Sequence, residues 1–325
     1  MKKNLTKKLM LSVLTLAFAV VSLGASTFAW FTLSGSAKLD QFSANVTGGY
    51  GLDVTVTKVG DAPAATAVWR SGRLPLDDLK AVIGTQAKFD AVTPSLAATA
   101  VAPFANLEGQ TKVTVDESKK DIFEANVNYI AFDLHFRITD PTSVTKNLEL
   151  YLDSLSLTGS TPNTWTADIA YDLEEGNTVQ PNTGVKYSIV DSARFAVVKS
   201  NVSTIYENAA EALNEGKIVA GNNTEGFSNY GAVSYYNNKL GKTAENDIEH
   251  TTEYTTQPLE GFAKTEKVQN LFTFTPGAEG TADDIVTITI LVWCEGWDAE
   301  CINAIFNQTL AVDMQFALYD DKGRI

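Results

Sequence analysis

Three carboxylates, Glu295, Asp298 and Glu300, crowd one stretch that also carries Cys294, Cys301, Trp293 and Trp297. Oxygen ligands at this density are what Ca²⁺ takes. The same residues also suit a capped helix, with Asp298 as N-cap, the glutamates favouring its positive end, and the helix running to Phe306. The spacing matches no calcium loop, which favours the cap, so no metal site is predicted. In an exported chain, which the first residues predict, two cysteines this close imply a local disulfide, Cys294–Cys301, of modest entropic weight. They lack Cys-x-x-Cys spacing, and no neighbouring Lys, Arg or His would lower a thiol pKa. Trp293 is expected to be buried in its strand, whereas Trp297 is a candidate surface contact for a sugar or another subunit.

Other chemistry is sparse. The chain has two histidines, His135 and His250, and no His-Glu-x-x-His. His135 falls on the polar phase of a strand, where a solvated imidazole is the default, and His250 lies in a Glu-rich loop. No Gly-x-Ser-x-Gly elbow marks a nucleophile and no Gly-Lys-Ser/Thr loop marks a phosphate site. No enzyme activity, no catalytic residue and no cofactor is predicted.

The elements that must position these residues are mostly strands. Ile130, Phe132, Leu134, Phe136 and Ile138 face one way and Tyr129, Asp133, His135 and Arg137 the other, and Leu310, Val312, Met314, Phe316 and Leu318 likewise share one face. Leu148, Leu150 and Leu152 share a phase that Leu155 and Leu157 leave, which predicts a β-bulge near Asp153-Ser154. Further strands are expected at 165–173, 185–198 and 285–293. Phe42, Ala44 and Val46, then Gly48-Gly49, then Leu52, Val54 and Val56 predict a hairpin. Three short helices are expected: Pro75 to Ile83 closed by Gly84, one opened by the capping box Thr204-Ile-Tyr-Glu207, and the one capped by Asp298. Two long insertions, at about 61–110 and 217–257, interrupt the pattern. Alternating strands with few helices predict an all-β chain, an antiparallel β-sandwich of jelly-roll type.

The first residues set the compartment. Lys2, Lys3, Lys7 and Lys8 precede an apolar run from Leu9 to Leu23, and small residues stand at Thr27 and Ala29. This is the pattern of a secretory signal over 1–29, with the mature chain, residues 30–325, starting at Trp30. Uncleaved, the run to Phe31 is long enough to anchor the chain in a membrane. Without residues 1–29 the chain has 21 basic and 39 acidic residues, a net charge of −18. A surface so acidic excludes nucleic acid as a partner and keeps exported subunits soluble.

Gly24-Ala25-Ser26-Thr27-Phe28-Ala29-Trp30-Phe31-Thr32 resembles the signal junction of the TasA/camelysin group, fibre proteins exported by Gram-positive bacteria and processed by the signal peptidase SipW. Gln41 to Val46 is similar to the strand that soon follows in that group. Val292 to Asp298 and Val312 to Phe316 resemble the C-terminal part of many surface proteins with such a signal. The resemblance is confined to the two chain ends, and 60–280 carries none. It implies a secreted or cell-surface protein of a Gram-positive-type bacterium, with a jelly-roll subunit. It also implies a homopolymer of an extracellular fibre or biofilm matrix, in which one subunit's N-terminal strand completes the next subunit's sheet. Trp30, Phe31, Phe42, Ala44 and Val46 would form that assembly strand. The alternative is a cell-surface binding module, an adhesin or glycan binder using the two insertions. Some proteins of the group are labelled metallopeptidases, but this chain lacks the motif.

Overall fold

The computed structural model describes residues 37–47, 51–84, 88–89, 91–94, 101–103, 126, 129–139, 144–174, 176–200, 202–209, 231–239, 256–275, 285–295, 298, 300–305 and 308–325. Among these, strands form two main sheets of mixed direction and the helices are short. The C-terminal strand Thr309–Asp320 lies inside the first sheet. It pairs antiparallel with Leu148–Gly159 on one side and parallel with the N-terminal strand Ala37–Thr47 on the other. Gln269–Phe274 and Ala263–Lys264 extend the first margin, and Arg73–Leu74 and Lys88–Phe89 the second. The second sheet runs in the order Thr256–Leu259, Val202–Asn208, Ala193–Lys199, Val286–Glu295, Ile130–Ile138, Leu52–Thr57 and Arg70–Ser71.

One apolar cluster joins the inner faces. Ile130, Phe132, Leu134, Phe136 and Ile138 of the second sheet are buried with Leu310, Val312, Met314, Phe316 and Leu318 of the first. The rings of Phe136 and Phe316 meet across the gap with centroids 4.8 Å apart. These are the residues whose period of two marks one strand face, and burying that face is the main favourable term in forming the sheets. A smaller cluster, with Ala131, Ala196, Ile205, Leu291 and Trp293, lies among the opposite faces of the second sheet. A third, with Tyr171, Val179, Tyr235 and Ile302, sits under the short strands of 165–185 and the helix Gly231–Lys239.

Several expectations hold. Strands occupy Ile130–Ile138, Val286–Glu295 and Thr309–Asp320, and a helix occupies Leu76–Ile83 between Pro75 and Gly84, whose φ is +80°. The bulge is at Asp153: Gln315 pairs with Ser154 and Phe316 with Leu152, which leaves Asp153 out of the ladder.

Others are corrected. The sheets are not antiparallel throughout, because Ala37–Thr47 with Thr309–Asp320 and Val202–Asn208 with Thr256–Leu259 are parallel pairs. Parallel partners need a long connection, and strands far apart in the chain have one. The expected hairpin is absent. Ala37–Thr47 lies in the first sheet and Leu52–Thr57 in the second, where it pairs with Ile130–Ile138. Alternation identifies a half-buried strand but not its partner. The capping-box residues Thr204 to Glu207 belong to a strand, not a helix: Ile205 and Tyr206 pair with Ala196 and Phe195. Packing of these β-branched and aromatic residues overrides the local cap. The 165–173 run breaks into Trp165–Thr166 and Tyr171–Glu174, and a helical turn, Ile189–Ser192, interrupts 185–198.

Candidate functional site

The N-terminal strand is held mainly along one edge. From Lys38 to Thr47 it pairs with Thr309 to Ala317, with one irregularity at Asp40. Its other edge meets only two-residue strands among the described residues: Ala44-Asn45 pair with Leu74-Arg73, and Ala37-Lys38 with Phe89-Lys88. The Val46 amide also donates to the Gly72 carbonyl at 2.7 Å. Of the proposed assembly residues, Ala44 and Val46 are each 1% exposed and belong to the core between the sheets. They stand opposite Met314 and Phe316, and Phe42 stands opposite Val312. Trp30, Phe31 and Trp297 lie outside the described residues, as does His250.

After Thr47 the chain reaches the second sheet by Gly51, whose φ is +70°. The Gly51 carbonyl accepts from the Thr139 amide at 2.9 Å and from its hydroxyl at 2.6 Å. A Cβ at position 51 would lie 3.1 Å from the Thr139 Cβ. Glycine therefore serves both the left-handed backbone and the close approach.

The acidic stretch is a buried ion cluster rather than a surface turn. Glu295, Asp298 and Glu300 are all buried. Arg194, in the strand Ala193–Lys199, places its Nη2 2.9 Å from Asp298 Oδ2 and 3.1 Å from Glu207 Oε2, with all three side chains at 0% exposure. The Thr256 hydroxyl donates to Glu207. Trp293 is buried, as expected, and its indole N–H donates to Glu295 Oε2 at 3.2 Å. Asp298 does cap locally, accepting from the Glu300 amide at 3.0 Å, but the element it leads into is the 3₁₀ turn Asn303–Ile305 rather than an α-helix. Burial pushes the Asp298 carboxyl well above the usual range, with Glu300 adding to the shift and Arg194 opposing it. Burial raises Glu207 too, against Arg194 and the Thr256 hydroxyl. Among the described residues no group of His, Cys, Asp and Glu is arranged to hold a metal.

The expected disulfide is corrected: no bond joins Cys294 and Cys301, although both are buried in the main core. Burial raises the Cys301 thiol strongly, and Cys294, Asp298 and Glu295 push it further. A thiol so held stays protonated and unreactive. His135 departs from the solvated default as well. It is 2% exposed, with Nε2 2.8 Å from the Thr57 hydroxyl and Nδ1 2.8 Å from that of Thr287. Burial lowers its pKa and Asp133 opposes the change.

Comparison with family models, with curated proteins and with solved structures returns no match to this chain.

Four residues that matter here carry little signal in the sequence. Arg194 shares its strand phase with Ala196 and Val198, and Glu207 shares its phase with Ser203 and Ile205, so neither phase announces a buried charge. The break in phase marks Asp153 as a bulge but not as the partner of Arg324, whose Nη1 donates to Asp153 Oδ2 at 2.8 Å. Arg324 carries no signal beyond its place near the chain end.

Proposed function

We propose that the chain is a secreted structural subunit of an extracellular fibre or biofilm matrix, built on a jelly-roll β-sandwich and polymerised by exchange of its N-terminal strand. The observation that carries this reading is the seat of Ala37–Thr47. A segment from near one chain end supplies a strand inside the first sheet, bound over nine register partners to the C-terminal strand. The same segment of a second copy would make the same backbone bonds and bury the same Ala44 and Val46, so exchange costs little in contacts. A head-to-tail exchange that does not close on itself gives a filament. Export with removal of residues 1–29 would free Trp30 onward only outside the cell, and the net charge of −18 would limit unspecific association. The partner is then the chain itself, with no nucleic acid and no cofactor. A membrane is involved only if the segment 9–31 is retained. The setting is the surface of a Gram-positive-type bacterium.

Negative-stain microscopy of purified residues 30–325 tests the reading. Filaments are expected, and deletion of residues 30–46 should abolish them while far-UV circular dichroism still reports β structure. Monomers that bind glycans instead would sink it in favour of a surface-binding module.

A further inference from the structure

A parallel strand contributed from near a chain end has a register problem. A hairpin would set its register by turn geometry, and this strand has no hairpin. Alternation of Ala44 and Val46 forbids a slip by one residue, which would turn both away from the core. A slip by two keeps every face and is not forbidden by alternation. Some contact must therefore recognise one position of the strand.

A side-chain contact able to do so lies at Thr47. Arg324, in the short strand Gly323–Arg324 folded back on Thr309–Asp320, donates from Nη2 to the Thr47 hydroxyl at 2.8 Å. The same hydroxyl lies 3.5 Å from the Phe316 carbonyl, to which it donates. Arg324 is itself held from the other side: its Nη1 donates to Asp153 Oδ2 at 2.8 Å. Asp153 is buried at the bulge, where its other oxygen accepts from the Tyr319 hydroxyl and, at 3.2 Å, from the Lys267 amide. The bulge thus aims a fixed carboxylate at an arginine, and the arginine presents one guanidinium nitrogen to one hydroxyl on the incoming strand. A slip by two would bring Asn45 or Gly49 to that nitrogen in place of threonine.

We infer that the Asp153–Arg324 pair is a register key for the strand seated beside Thr309–Asp320, reading the hydroxyl of Thr47. The key acts on the chain's own strand as it is seated here. Where the strand comes from a second copy, the inference rests on the assembly reading above, and the key then sets the axial repeat of the polymer.

The test uses the full chain. Thr47→Val keeps the shape and removes the hydroxyl, Thr47→Ser keeps the hydroxyl, and Arg324→Ala removes the donor. Amide hydrogen exchange over 38–47 should accelerate about five- to ten-fold in Thr47→Val and Arg324→Ala, the range that one lost hydrogen bond supports. In Thr47→Ser it should stay near the parent rate. Register is read by cross-linking. Cysteines placed at 45 and 315, which are register partners, should bond in the parent. Cysteines at 43 and 315, or at 45 and 313, report the two possible slips and should bond only once the key is lost. Unchanged exchange in both variants overturns the inference. So does faster exchange with neither slipped cross-link, because Arg324 would then merely stabilise the seat. Polymerisation is scored separately by light scattering: a parent that never polymerises removes the assembly reading and leaves the key standing on its exchange and cross-link results.

Discussion

Asp153 and Asp298 are both buried, and each faces an arginine at closely similar distances, 2.8 and 2.9 Å. They differ in the arginine. Arg324 keeps 39% of its side chain exposed, so water can take over its guanidinium whenever the pair opens. Arg194 is wholly enclosed, with a second carboxylate, Glu207, on the same nitrogen. Opening that pair would strand charge in a low-dielectric interior, where an ion loses several kcal/mol of solvation. One aspartate thus makes a contact that can open and re-form, beside the strand proposed to exchange. The other makes a fixed joint between the Ala193–Lys199 and Val202–Asn208 strands and the turn after Glu295. Reversibility follows the solvent exposure of the cation rather than the length of the bond.

The largest effect should come from the enclosed joint. Arg194→Met fills a similar space but removes the guanidinium facing Asp298 and Glu207, and the loss should be about 3–5 kcal/mol in urea denaturation at neutral pH. A loss no greater than that of an exposed pair would erase the contrast. Acid should soften the defect, since a protonated carboxyl tolerates burial without a cation.

The wild-type pH profile sharpens the same point. Burial holds the Asp298 and Glu207 carboxyls above their ordinary values, so the folded chain keeps protons that the unfolded chain has released. Their contribution is complete below the ordinary carboxylate range and is lost as pH rises through the folded values. Stability of the wild type relative to Asp298→Asn should therefore fall as pH rises from acid to neutral. A difference that grows over that interval would mean the pair is ionised from the start and that Arg194 outweighs burial.

A smaller effect is expected at the open pair. Asp153→Asn preserves shape but weakens the bonds from Arg324, the Tyr319 hydroxyl and the Lys267 amide. The cost should be roughly 1.5–3 kcal/mol, the scale of hydrogen bonds to a charged group. The Tyr319 hydroxyl offers a local readout. Burial and its bond to Asp153 push its pKa up to about 12, and the Asp153→Asn variant should bring its ultraviolet titration down. An unchanged titration would place the cause in burial alone.

The inner faces of both sheets are legible in the sequence because burial imposes a period of two, and Phe132, Leu134, Phe136 and Phe316 display it without interruption. The bulge at Asp153 is legible for the same reason, as a break in phase between Leu152 and Leu155. What the pattern does not carry is partnership. Nothing in Phe42, Ala44 and Val46 says that they lie beside Val312 to Phe316 rather than beside Leu52 to Val56, because both neighbours offer the same alternation. The outer face of the second sheet misleads for a related reason. Arg194, Glu207 and His135 occupy positions that face water in a two-layer sheet protein, and here they are covered. Thr204 and Glu207 satisfy a helix cap in sequence, yet in the fold Glu207 is taken up by Arg194. For Cys294 and Cys301, compartment and spacing say nothing of whether the thiols face each other.

The smallest effect should come from a forked pair. Arg70 binds Asp78 through two nitrogens, Nε at 2.7 Å and Nη2 at 3.2 Å, and so ties the edge strand Arg70–Ser71 to the helix Leu76–Ile83. Both side chains keep about a third of their surface in water, 38% and 31%. If bond geometry governed strength, Asp78→Asn would rival Asp153→Asn. If exposure governs, as the contrast between Arg324 and Arg194 implies, solvent and salt already screen the pair. Asp78→Asn should then leave the urea midpoint almost unmoved in about 0.15 M salt, because an exposed pair is worth roughly 0–1 kcal/mol. A measurable drop there, matching that of Asp153→Asn, would make the forked geometry the deciding factor and return burial to second place.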